Sequence, residues 1–339
     1  MIPITVIRFP KAFARSSVFL LLWMFTFGLS LNAQTGRFWM PSDTLNKERF
    51  WSLTGGTTLA YTGATIGLYQ IWYKNYDTEP IHSKDDWGQW ENMDKWGHAM
   101  ATYAQSYLAY KGARWTGMSE RAAIWTGAGV GTLTQLTIEI MDGFSARWGF
   151  SWYDFGFNTG GAALFAGQQL LWQEQRMLIK VSSTRPNYST VLREGTNGLM
   201  ASPQDAAYDL YGRTIFEYLL KDYNAMTIWA SVNPNAFLGK HKDKSPIPDW
   251  LNLAVGIGAD GIYGAWGNVW TAPGGERLRL TDYERYRQYY LSLDIDTARI
   301  PTRSPFLKTL FSTFRWIKVP APTLEWNTRG EVIFHPVFW

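Results

Sequence analysis

The 339-residue chain contains no cysteine. That excludes a disulfide partner and a lipid-attachment cysteine, so an exported chain of this composition must be stabilised by its core, by metal or by a membrane. A strong charge of one sign is also missing, with 32 Lys and Arg set against 28 Asp and Glu. Three of the basic residues, Arg8, Lys11 and Arg15, fall within the first 33 positions, where there is no acidic residue, and the remainder is close to neutral. No basic tract alternates with aromatics, which argues against nucleic acid as a partner. Nucleophile elbows, phosphate loops and the zinc motif H-E-x-x-H are absent as well. Long strongly hydrophobic runs are few, and the mean hydropathy of -0.21 is too polar for a multi-span inner-membrane protein.

Aromatics are abundant: 19 Trp, 18 Tyr and 19 Phe make up 17% of the chain. Trp and Tyr join an apolar body to a polar tip, which suits a membrane–water boundary as well as a core. The first 33 residues read as an export signal, with a positive start, a mostly apolar core at 17–31 and a small-residue end at Leu31-Asn32-Ala33. The expected destination is the periplasm or the periplasmic face of the outer membrane.

After a polar segment at 34–46, positions 50–73 run without a charge and carry Gly55, Gly56, Gly63 and Gly67. Such a helix packs closely against neighbours through its small face as a buried member of a bundle, or is long enough to cross a hydrocarbon layer. Further helices are expected from Asp94 to about Lys111, from the cap Ser119 to Met141, and from Ser151-x-x-Asp154 toward Ile179. Positions 47–180 thus read as a four-helix bundle, followed by a linker at 181–201 and an α-rich region at 202–339. There Ser202-Pro203-x-Asp205 starts a helix. Asp205, Asp209, Arg213, Glu217 and Lys221 form one charged stripe along it. Positions 251–264 are a small-residue helix or a loop–strand segment. Positions 289–296 alternate as a half-buried strand, 319–326 are too proline-rich for a central strand, and 331–339 suits an edge strand. Ten-residue alternating segments are too few for an outer-membrane barrel. The fold class expected is mainly α: a small-residue-rich four-helix bundle, then a second α-helical region with a minor β element.

The ionisable groups that sit inside apolar sequence concentrate between Asp94 and Trp172. Asp94 and His98 are four apart, Glu139 and Asp142 three apart, and Asp154 and Asn158 four apart, so each pair shares a helical face. Buried charges must be paired, so the three pairs are expected to meet at one point, balanced by Lys95 and Arg147. Three chemistries fit. His98 with Asp94, Glu139 and Asp154 could move protons. His98, Glu139, Asp142 and Asp154 could hold a metal ion, although the paired Glu-x-x-His motifs of bundle metal sites are missing. Otherwise the network fixes packing and nothing else.

D-K-W-G-H at 94–98, E-I-M-D at 139–142 and S-W-Y-D-F-G-F-N-T-G-G at 151–161, which ends on Gly161, resemble the YfiM-like family of predicted periplasmic lipoproteins. The order D-K-x-x-H, Glu, Arg, D-x-x-x-N-x-x-G is also similar to VanZ-like membrane proteins. K-D-Y-N at 221–224, Y-Y-L-S-L-D-I-D at 289–296 and P-A-P-T-L-E at 320–325 look like longer versions of the YfiM-like family. The resemblance implies a small helical unit at an envelope membrane and no established reaction, and the missing cysteine departs from the lipoprotein pattern. The function expected is a non-catalytic envelope protein that binds membrane lipid or an envelope protein. The alternative is a hydrolase or transferase acting on a lipid or cell-wall precursor.

Overall fold

Three small residues set the closest approaches in the helical part of the computed structural model, which describes residues 38–74, 76–238 and 245–339. The expected export signal at 1–33 lies outside the described residues. Helices α1 (Lys47–Leu68), α2 (Met93–Trp115), α3 (Glu120–Gly143) and α4 (Trp152–Trp172) are the first long helices among the described residues. A Cβ placed on Gly127 would lie 2.5 Å from the Ser106 carbonyl oxygen, on Gly131 2.3 Å from Ser106 Oγ, and on Gly161 2.3 Å from the Ala99 carbonyl oxygen. The backbones of α3 and α4 therefore rest directly on α2, as small residues permit. Tyr103, Tyr107, Tyr110, Ile124 and Phe165 fill the space around those contacts.

The expectation for α1 does not hold. Its glycines at 55, 56, 63 and 67 have nothing within 4 Å of an added Cβ, and none of its residues is buried. The helix is fixed to the others at separate points, by Leu53 against Gly112 and by the Tyr61 hydroxyl, 2.6 Å from Thr137 Oγ1. It continues as a π-helical turn, Tyr69–Tyr73, whose last residue is buried.

The fold class expected from sequence is overturned. Helix accounts for 45% and strand for 22% of the described residues, and strands build a six-stranded antiparallel sheet. Its members are β1 (Met177–Ser183), β2 (Met226–Val232), β3 (Leu251–Asp260), β4 (Tyr286–Ile295), β5 (Ala321–Asn327) and β6 (Val332–Phe338). They follow one another across the sheet in chain order. Two short hairpins lie outside the sheet, at 193–201 and 269–279. Helix α4 stops at Trp172, where Gln173 takes a left-handed conformation (φ 56), so Met177–Ser183 is free to become the first strand. The proline-rich 319–326 segment holds a central strand after all. Its ladder with β4 begins at Thr323, just past Pro322, so neither Pro320 nor Pro322 has to donate to that ladder.

The charged stripe expected on one helix breaks at Gly212, which has φ 83. Helix α5 (Pro203–Tyr211) opens with a full capping box from Ser202 and Asp205, and α6 (Ile215–Lys221) with a second from Thr214 and Glu217. Glu217 is spent on that cap. Helix α7 (Pro305–Thr313) precedes the last two strands.

The sheet's two faces are chemically inverted. Beside the buried Trp229, Ala254 and Tyr290, inward positions carry polar side chains that satisfy one another: Lys180 Nζ reaches Asp294 at 2.7 Å, Ser231 donates to Asp294 at 2.6 Å, and Asn252 donates to Ser231 at 2.9 Å. The Lys318 ammonium donates to the carbonyls of Leu293 and Val319. Outward positions are mostly apolar, with Leu291, Leu293 and Leu324 among them. The sheet also curls, because segment 316–318 bonds to the free edge of β1 through Val181, while Trp339 beyond β6 donates to the Lys318 carbonyl at 2.8 Å. First and last strands therefore share a neighbour. Pro41–Trp339 forms one compact unit.

Candidate functional site

Three helices and a loop bring the isolated ionisable groups to one place. Asp94, Lys95 and His98 lie on the first turns of α2, Glu139 and Asp142 near the end of α3, and Asp154 and Asn158 on the first turns of α4. Lys95 is fully buried and sits at the charge centre. Its ammonium is 2.9 Å from Asp154, 3.3 Å from Asp94, and in short contact with Asp86.

His98 Nδ1 is 3.2 Å from Asn158 Oδ1 and 3.5 Å from Glu139 Oε1, and Nε2 is 3.8 Å from Asp94 Oδ1. The Thr102 hydroxyl lies 2.9 Å from both Asn158 Oδ1 and the His98 carbonyl oxygen, and an amide oxygen only accepts. Nδ1 is therefore the protonated nitrogen of the neutral ring, and Nε2 faces Asp94. The site opens on one side: the side chains of Asp94 and His98 are 24% and 13% exposed, whereas Glu139 is 1% exposed. In the depth, Glu139 Oε1 and Asn158 Nδ2 have no hydrogen-bond partner.

Carboxyl groups outnumber the basic side chains here, and burial favours the protonated form of Glu139, Asp142 and Asp154. Burial pushes Glu139 up to about 8, opposed by His98. Burial likewise lifts Asp142 to about 7 against the hydrogen bond from Tyr73. Asp154 is raised by burial and by the charge of Asp94. Asp94 moves the other way: burial disfavours its charge, but His98 and Lys95 hold it below the usual carboxylate range. Burial weakens the His98 base, yet Asp94, Asp154 and Glu139 outweigh that and raise it.

Arg147 does not join the cluster. Its guanidinium lies over the Tyr76 ring at 4.9 Å. Asp142 stands at the margin, bound by the Tyr73 hydroxyl at 2.6 Å. The metal set read from sequence changes accordingly, since among the described residues the group that could hold an ion is Asp94, His98 and Asp154, with ligand atoms within 4.8 Å of one another. Oxygen-rich with one imidazole, it suits a hard or borderline divalent cation. Such an ion would have to displace Lys95 from two of those carboxylates. Gly161 supports the site by seating α4 on the Ala99 carbonyl.

Sequence reasoning missed Asp86, Tyr73 and Tyr223, and read Ser151 only as the cap of α4. Asp86, in the loop before α2, accepts from Lys95 and, at 2.7 Å, from the Ser151 hydroxyl. Ser151 caps α4, and its backbone N–H reaches Glu139 Oε2 at 3.2 Å. Tyr223 donates to Asp94 Oδ1 at 2.7 Å. The signal for Tyr223 was the K-D-Y-N segment, which was grouped with the C-terminal region instead of the site. A cleft of about 460 Å³ lies elsewhere, lined by Thr297, Phe314, Lys318, Pro320 and Trp339, with no residue of the cluster in its wall.

Residues 87–168 match the model of a family described as predicted periplasmic lipoprotein (DUF2279), and this supports a periplasmic location. The matched span holds most of the cluster and leaves out Tyr73, Asp86 and Tyr223. Neither the curated proteins nor the solved structures yield a match to this chain.

Proposed function

We propose that the chain is a non-catalytic cell-envelope protein whose helical bundle seats against the periplasmic face of the outer membrane and binds lipid or a membrane partner. The exterior of the bundle carries this reading. On α1, Trp51, Leu59 and Ile66 are 67%, 72% and 57% exposed, and large apolar side chains continue outward at Trp125, Leu133 and Leu171. Apolar surface on this scale marks a contact with lipid or protein. Among the described residues no helix is long and apolar enough to cross a membrane, so the reading is of helix faces lying on the lipid. The polar cluster then serves to fix α2, α3 and α4 against one another. After cell fractionation the mature protein should stay with membranes through a high-salt wash. Its complete release into the soluble fraction would remove the membrane part of the reading.

One observation favours a second reading, a hydrolase or transferase on a lipid or cell-wall precursor. Asp94 and His98 form a lip open to solvent, with the orphaned Glu139 Oε1 behind them, an arrangement that fits general acid–base work. On this reading His98→Ala and Asp154→Asn leave the far-UV circular dichroism unchanged and abolish the cellular phenotype of the gene. If both variants unfold, the cluster is structural.

A further inference from the structure

The membrane seat just proposed rests on helices, but the sheet presents an apolar face of its own. Strand register places Ile179, Ala230, Val255, Leu291, Leu324 and Phe334 in one row across all six strands. Beside this row part of the same face is covered, because Ile179, Val181, Ile228 and Ala259 pack with Met93 of α2, while Ala230 is already exposed. The row then continues without cover: Val255 is 51% exposed, Leu291 and Leu324 39% each, and Phe334 65%. An established interface thus runs on, with unchanged chemistry, into open surface.

Charge is distributed to match an uncharged occupant. Within the six strands, Lys180, Asp294, Glu325 and His335 point to the inner face, where each has a partner, while Asp260 and Arg287 stand at strand ends. Along β4 the outward positions read Leu293, Leu291, Tyr289 and Arg287. Tyr289 stacks on Trp326 of β5 with ring centroids 6.0 Å apart, and Arg287 pairs with Glu91 at 3.1 Å. Aliphatic, then aromatic, then charged is the order a bilayer imposes with depth, and a protein partner has no need of it.

We propose that the outward face of β3 to β6 lies in the hydrocarbon of a lipid bilayer, with Tyr289 and Trp326 at the interface and Arg287 in water. This deepens the proposed function and rests on its membrane seat. The absence of cysteine makes the test direct. Single variants Val255→Cys, Leu291→Cys and Leu324→Cys are labelled with an environment-sensitive fluorophore, alongside Leu59→Cys on α1 and Glu194→Cys on an exposed hairpin. The full-length proteins are bound to vesicles of phosphatidylethanolamine and phosphatidylglycerol that carry nitroxide on their acyl chains.

Labels on the sheet should lose most of their emission to the nitroxide and be shielded from aqueous iodide, with the Glu194→Cys label behaving in reverse. Sheet labels open to iodide while the Leu59→Cys label is quenched by nitroxide would overturn the sheet inference and leave the bundle's seat standing. Sheet labels shielded from both quenchers mean that protein covers the face, which also overturns it. Failure of every variant and of the parent to sediment with vesicles would bring down the seat itself.

Discussion

Lys95→Met is expected to lower the unfolding free energy by about 3–5 kcal/mol near neutral pH. The substitution keeps the volume of the stem and removes one charge. It leaves Asp86, Asp94 and Asp154, which all face the buried ammonium, without their shared counter-ion. Removing one member of a buried ion pair is costly because the partners stay buried and uncompensated. The same variant should recover part of its stability near about pH 5, as the stranded carboxyls take up protons. Urea denaturation of the wild type and the variant at the two pH values, in one mild detergent, checks both halves. A loss that is small and independent of pH would mean that the carboxylates reach water without the lysine.

The second large effect is the pH dependence of the intact cluster. Glu139, Asp142 and Asp154 bind protons more tightly folded than unfolded, and so does His98. A raised folded pKa gives stability that is complete below the unfolded pKa and is lost as pH rises through the folded one. Asp94 is lowered and has the opposite sign, but its window lies in the acid range, below the others. Lys95 is raised, out of the range that matters here. Stability should therefore fall from about pH 5 to about pH 8. Glu139, moved from 4.5 to about 8, contributes on the order of 4 kcal/mol of that fall. Glu139→Gln keeps an oxygen for the Ser151 N–H and has nothing to titrate.

The spacing of Asp94 with His98, Glu139 with Asp142 and Asp154 with Asn158 was legible because helix periodicity is local, and buried charges in apolar sequence have to find one another. What periodicity could not supply was the partner from a distant segment. Asp86 and Tyr223 reach the site from a loop and from the turn before β2, where no repeat announces them. Arg147 was assigned by charge balance alone, and the aromatic faces of Tyr76 and Trp148 claimed it instead.

The sheet was harder to see, for a specific reason. Alternation in Y-Y-L-S-L-D-I-D was plain, and a strand was expected there. Which face is inward was not, because the usual rule places leucine inside, whereas Leu291 and Leu293 face out and Ser292 and Asp294 are buried. In 251–260, the glycines at 256 and 258 lie under Trp229 and Tyr290. Their small size left a packed helix open beside a loop–strand segment, when it answers to aromatic rings crossing a strand. Pro322 discouraged a central strand, although it sits just outside the ladder.

The central claim is that side chains from three helices share protons in one buried cluster. Unfolding free energies of the wild type and Glu139→Gln, measured across about pH 5 to about pH 9, test it most directly. The account predicts a wild-type curve that declines with pH and a flatter curve for the variant, the two crossing so that Glu139→Gln is the more stable at the alkaline end. Parallel curves would contradict it, since a carboxyl that gains nothing from the fold's hold on its proton does not belong to such a cluster.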